Sequence, residues 1–125
     1  MKNSKAKKTI DSFNTVRWKL KTGEYHRVDG PAIEWADGTK DWHLNGERHR
    51  VDGPAVEYTD GSKAWYLNGK RHRVDGPAIE CANGYKAWYI NDKKLTFKQW
   101  LSEIWDTLSK KEQKKYAFNG FEYEK

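Results

Sequence analysis

The sequence predicts a mainly β fold, a meander of β-hairpin repeats of 23 residues with a C-terminal helical cap. Three observations carry this. His-Arg-Val-Asp-Gly-Pro-Ala occurs three times, beginning at His26, His49 and His72, 23 residues apart, and Trp42, Trp65 and Trp88 share the interval. A fixed short period is the signature of an iterated architecture. Asp37-Gly38, Asp60-Gly61 and Asn83-Gly84 separate short alternating segments, the strongest local hairpin signal because glycine accepts positive φ. Phe97, Trp100, Leu101, Ile104, Trp105 and Leu108 then fall on one face of a helix.

Each element follows in order. Lys2, Lys5, Lys7 and Lys8 have no acidic neighbour, so residues 1–11 read as a flexible basic arm. The first ten residues contribute +4 of the net +6, and residues 11–125 only +2, so the body is nearly balanced. Residues 12–25 read as a degenerate half-repeat, with Val16-Arg17-Trp18-Lys19-Leu20 as its strand. Full units run from His26, His49 and His72, so residues 12–95 form the array.

Within a unit, the first strand follows the proline (Ala32 to Trp35, Ala55 to Tyr58, Ala78 to Cys81). The second holds the repeated Trp (Lys40 to Leu44, Lys63 to Leu67, Lys86 to Ile90), giving about seven strands in all. Asn45-Gly46 and Asn68-Gly69 turn the far ends, and Asp-Gly-Pro makes a second corner. Period-2 alternation puts Trp42 with Leu44, and Ile33 with Trp35, on an apolar side. It puts Glu34, Glu57 and Glu80, with His43, Tyr66 and Tyr89, on the opposite, exposed side.

Residues 96–125 read as the helical cap. Thr96 with Gln99, and Ser109 with Glu112, make capping boxes. Helices are expected at 97–108 and 110–117, then a turn at Asn119-Gly120. The cap hides the last apolar surface of the array, as terminal units must.

The residues exclude much chemistry. Equivalent positions in successive hairpins lie about 9.5 Å apart, two strand spacings, so His26, His49 and His72 cannot share one metal. No nucleophile recurs beside His49 and Asp52, and no phosphate-cradling loop precedes a helix. We expect no enzyme, no metal and no cofactor. Cys81 is the lone cysteine and stands where other units have Trp35 and Tyr58, as a buried thiol replacing an aromatic. No apolar run is long enough to span a membrane, so a cytoplasmic protein without membrane partners is expected.

A binding surface is the functional reading. Arg27, Arg50 and Arg73 with His26, His49 and His72 form a ladder along one edge, joined by the His43, Tyr66 and Tyr89 row. Arg can meet phosphate or carboxylate with two parallel hydrogen bonds, or pair with Asp29, Asp52, Asp75 or the glutamates beside it. A protein partner is the first expectation. Nucleic acid or an anionic nucleotide, held by Arg, His and aromatic stacking, is the second, although no nucleic-acid motif is present.

The unit resembles a MORN repeat. The residues that carry this are Lys63-Ala-Trp-Tyr-Leu-Asn-Gly-Lys-Arg-His72, continuing through Gly76 and Ile79 to Asn83-Gly84. The resemblance covers about residues 12–92, and the His-Arg-Val-Asp-Gly-Pro-Ala return departs from the usual small Gly-x-Gly. The variant looks most like the His-Arg-x-Asp-Gly-Pro-Ala arrays of bacteriophage and giant-virus proteins. The resemblance implies a single curved sheet of hairpins with a non-enzymatic interaction role. It further implies self-association into a homo-oligomer. In the viral case it implies a host factor as partner, such as a defence component, met in the host cytoplasm. The departures fall in the loops, so partner identity does not carry over.

Overall fold

The computed structural model describes residues 5–118; the expected turn at Asn119-Gly120 lies outside them. The chain is mainly β with C-terminal helices. Its strands are β1 Lys7–Ile10, β2 Val16–Lys19, β3 Ile33–Glu34, β4 Lys40–Asp41, β5 His43–Leu44, β6 Glu47–Arg48 and β7 Val56–Glu57. They continue as β8 Lys63–Ala64, β9 Tyr66–Leu67, β10 Lys70–Arg71, β11 Ile79–Glu80, β12 Lys86–Ile90 and β13 Lys93–Leu95. Nine of them form one open antiparallel sheet in the order β1-β2-β3-β4-β7-β8-β11-β12-β13. The pairs β5-β6 and β9-β10 are separate two-stranded ribbons that leave the sheet and return.

This corrects the simple meander. The expected strand from Lys40 to Leu44 breaks at Trp42, and the one from Lys63 to Leu67 at Trp65. Trp42 N–H donates to Ala55 O while Trp42 O accepts from His49 N–H. The residue thus faces two different neighbours, and the chain steps there from sheet to ribbon. In the last unit β12 runs unbroken from Lys86 to Ile90.

The two hairpin ends are built differently. Trp35 N–H donates to Thr39 O and Gly38 N–H to Trp35 O, with Gly38 at φ +97°. This is a three-residue loop whose last position needs glycine. Asn45 and Gly46 both have positive φ, +50° and +85°, the two-residue turn whose twist suits a ribbon. Gly46 N–H then donates to Tyr25 O, Gly69 N–H to Arg48 O and Asp92 N–H to Arg71 O, so each turn is tied to the preceding segment.

Register explains the two faces. Lys40 pairs with Glu34 and Glu57, Lys63 with Glu57 and Glu80, and Lys86 with Glu80. Opposite charges alternate across this row, each pair worth a few tenths of a kcal/mol. The next row runs Ile33, Asp41, Val56, Ala64, Ile79, Ala87. Here Ile33, Val56, Ala64 and Ala87 are buried, as are Ala32, Ala55 and Ala78. The Trp-lined apolar side expected from alternation is therefore corrected. The array is cored by small residues, Trp42 and Trp65 are half-buried, and Trp35 and Tyr58 are exposed.

The basic arm is also corrected at Lys7–Ile10, which pair with Val16–Lys19. Asp11 makes the turn. Its carboxylate accepts Phe13 and Thr15 N–H at 2.9 and 3.0 Å, and Arg17 Nη1 at 2.8 Å. The Arg17 hydrogen bond first, then the two backbone donors, hold the Asp11 carboxyl below the usual range.

The cap carries the largest core. Helix α1, Phe97–Ile104, opens with the expected box: Thr96 accepts Gln99 N–H and Gln99 accepts Thr96 N–H. It ends at Ile104 rather than at 108, in a 3-10 turn over Trp105–Thr107. The second box, Ser109 with Glu112, opens α2, Lys110–Phe118. Trp100, Leu101 and Ile104 are almost fully buried against Trp88, Ile90, Leu95 and Phe97. Among the described residues no helix is long and apolar enough to cross a membrane.

Candidate functional site

The repeated heptapeptide resolves into a corner in which each residue has a fixed task. His Nδ1 accepts the N–H of the ribbon-turn asparagine 19 residues on: Asn45 to His26 at 2.9 Å, Asn68 to His49 at 2.9 Å and Asn91 to His72 at 3.0 Å. These asparagines have φ of +50°, +50° and +49°, and the imidazole satisfies a donor their turn leaves unpaired. Each imidazole thus carries its proton on Nε2.

Arginine turns inward. Arg50 Nε donates to Asp52 at 3.2 Å, and its Nη1 donates to Pro54 O at 3.1 Å and Glu57 at 3.0 Å. Arg27 and Arg73 repeat all three bonds, to Asp29, Pro31 and Glu34, and to Asp75, Pro77 and Glu80. The guanidiniums lie over Trp18, Trp42 and Trp65 at 4.6, 3.8 and 3.6 Å from the ring centroids. Each ring is stacked by the arginine of the following corner. The corner glycine is required by this packing: a Cβ at Gly53 would stand 3.0 Å from Arg50 Cζ, and at Gly76 2.7 Å from Arg73 Cζ. In Arg27, Arg50 and Arg73 alike, Nε and Nη1 are committed to the corner's own acceptors.

The His43, Tyr66 and Tyr89 row is not an exposed stripe. Arg48 lies over Tyr66 at 5.5 Å and Arg71 over Tyr89 at 4.3 Å, and both tyrosines are half-buried. The His43 side chain is 11% exposed, with Nε2 3.0 Å from Asp41 Oδ1. Asp41 is 2% exposed where the other units have Ala64 and Ala87. Arg48 Nε and Nη2 hold its two oxygens at 3.0 and 3.2 Å. Burial pushes the Asp41 carboxyl up, but His43, then Arg48, reverse this and leave it below the ordinary value.

A depressed folded-state value adds stability above the ordinary carboxylate range, which is lost as pH falls through the folded value. Changing Asp41→Ala with His43→Tyr restores the residues of the other units. The double variant is expected to match or exceed the parent at neutral pH, since apolar replacement of buried ions is often stabilising. It should lose less stability than the parent on acidification. Urea midpoints at neutral pH and at about pH 3 measure this.

What the corners leave open is the space between them. One groove is lined by Val28, Pro31, Trp42, Leu44, His49 and Val51 and has a volume of about 710 Å³. The next, shifted by one unit, is lined by Val51, Gly53, Trp65, Leu67, His72 and Val74, with about 520 Å³. Either has room for several large side chains. Their floors are half-buried Trp and Leu. Their walls are the corner arginines, Arg27 and Arg50 or Arg50 and Arg73, and valines exposed by 68% at Val28, 83% at Val51 and 49% at Val74. Asp29, Asp52 and Asp75 stand at the rims with side chains more than four-fifths exposed.

These valines were not among the residues singled out in the sequence. The signal was present: an apolar β-branched residue fixed inside a polar turn, with no interior to occupy. Cys81 is half-buried rather than buried, beside Tyr58, Tyr66 and Ile79. Among the described residues no group of three or more His, Cys, Asp or Glu is placed to hold a metal ion. Comparison of the chain with family models, curated proteins and solved structures finds no match.

Proposed function

We propose that this protein is a non-enzymatic interaction module of the MORN-like kind, which binds another protein through the two inter-corner grooves. One observation carries the reading. The corner arginines are paired internally through Nε and Nη1, whereas Val28, Val51 and Val74 are held outward over Trp and Leu floors. An apolar groove with a charged rim is the anatomy of a protein interface. Under the viral resemblance, the partner is a host factor such as a defence component.

The reading is tested by Val28→Asp with Val51→Asp. Both side chains are exposed, so the urea midpoint should stay within about 0.5 kcal/mol of the parent. A partner retained by the parent should be lost from the variant, because a buried carboxylate without a counter-ion opposes docking. Retention of every partner by the variant would overturn the reading.

A second reading, an anionic nucleotide or nucleic acid, draws on a different face. Trp35 and Tyr58 are exposed there, and Arg17 lies 5.8 Å from the Trp35 ring centroid. Salt-dependent association with RNA, DNA or nucleotides, abolished by Trp35→Ala, would favour it over the first.

A further inference from the structure

The array contains a third position equivalent to the two grooves, and there the occupant is visible. Shifting the Val51–Val74 groove by one unit gives a floor of Trp88 and Ile90, with Arg73 on one wall and Leu95 and Phe97 on the other. Helix α1 lies in it. Trp100 is 1% exposed and Leu101 0%, with Ile104 at 3%, all packed against Trp88, Ile90, Leu95 and Phe97. The Trp100 indole N–H donates to Arg73 O at 2.8 Å.

The corresponding acceptors in the open grooves are Arg27 O and Arg50 O, on which no donor is found among the described residues. Val74, the wall nearest α1, is the least exposed of the three corner valines. The filled site and the open ones therefore share a tryptophan and aliphatic floor and a backbone acceptor, while Arg50 and Arg73 lie over one face of the open-groove rings and Thr96 stands at the equivalent position of the filled one.

Resting on the interaction reading above, we propose that each open groove seats an amphipathic helix of a partner protein. That helix carries an indole at one position, leucine at the next and an aliphatic residue at the fourth beyond the indole, the pattern of Trp100, Leu101 and Ile104. Its indole N–H donates to Arg27 O or Arg50 O, its aliphatic residues cover Leu44 or Leu67, and its flanks carry lysine or arginine to meet Asp29, Asp52 and Asp75. The spacing agrees. Units repeat at about 9.5 Å and packed helices lie about 8–10 Å apart, so a helix in the Val51–Val74 groove rests beside α1 as a second layer member. A second copy of this chain is a poor donor, because its own α1 has all three anchors buried.

The test uses the intact protein and a helix-constrained synthetic peptide with the sequence of residues 96–108, bridged across its outer face. Constraint removes the cost of nucleating a short helix. Methyl and indole NMR shifts are expected at Val28, Val51, Leu44, Leu67, Trp42 and Trp65. Replacing the peptide tryptophan by alanine, or Val51→Asp in the protein, should weaken binding by about tenfold or more. No binding at millimolar peptide overturns the proposal, as do shifts confined to Trp88, Ile90 and Leu95, which would mark displacement of the resident helix. The same shifts on concentrating the protein alone would make a second copy the occupant and equally overturn it. If a natural partner is lost from the Val28→Asp, Val51→Asp variant while the peptide fails, the interaction reading stands and only the helical occupant falls.

Discussion

Replacing Trp100 by alanine is expected to destabilise the protein by about 3–5 kcal/mol, the range for emptying a fully buried large side chain. Trp100 is the largest member of the cluster of buried residues formed with Leu101 and Ile104. Its loss uncovers Trp88 and Phe97, whose rings lie 6.4 and 5.9 Å from its own, and frees Arg73 O. Because units of such an array contact only their neighbours, the effect should be graded along the chain. Helical circular dichroism should be lost at lower urea than the sheet signal. Trp100→Phe keeps most of the volume and removes the indole donor, and should cost about 1 kcal/mol through the missing hydrogen bond. Urea unfolding followed by far-ultraviolet dichroism measures both variants.

The second large effect belongs to the central corner. Arg50→Ala is expected to lower stability by about 2–3 kcal/mol. The change removes three hydrogen bonds, takes the direct ion pair from Glu57 and strips the cation from the Trp42 ring. The side chain is 23% exposed, so solvent screens part of the charge and the effect stays at this level rather than that of a buried ion pair. An unpaired Arg on a display surface would show nothing of this kind, since exposed substitutions away from such contacts stay within about 0.5 kcal/mol.

The turns and caps were legible in the sequence because each depends on residues close together. Asn45-Gly46 specifies two positive φ angles in a row, and Thr96 with Gln99 specifies both halves of a helix cap. The break at Trp42 was not legible. Alternation assumes one continuous strand, whereas Trp42 donates to Ala55 and accepts from His49, partners that belong to different layers. The strand at Lys7–Ile10 had no signal either. Its four residues are all exposed, so backbone pairing and the Asp11 turn hold it without an apolar pattern.

The pairing of the corner arginines with aspartate and glutamate was one of the alternatives the sequence allowed. The cation–ring stacking was hidden, because it joins each arginine to a tryptophan eight or nine residues earlier. That stacking covers the tryptophans, leaves alanines to fill the sheet, and turns the valine of each corner outward. The grooves follow from the same arrangement.

The most direct test is the urea unfolding midpoint of Arg50→Lys. Lysine keeps the positive charge at this corner but lacks the planar fork that reaches Asp52, Pro54 and Glu57 together over the Trp42 ring. If the corner arginines are structural, the midpoint falls by the equivalent of about 1–2 kcal/mol with the slope unchanged. An unchanged midpoint would contradict the account and return the ladder to the surface as a set of free cations.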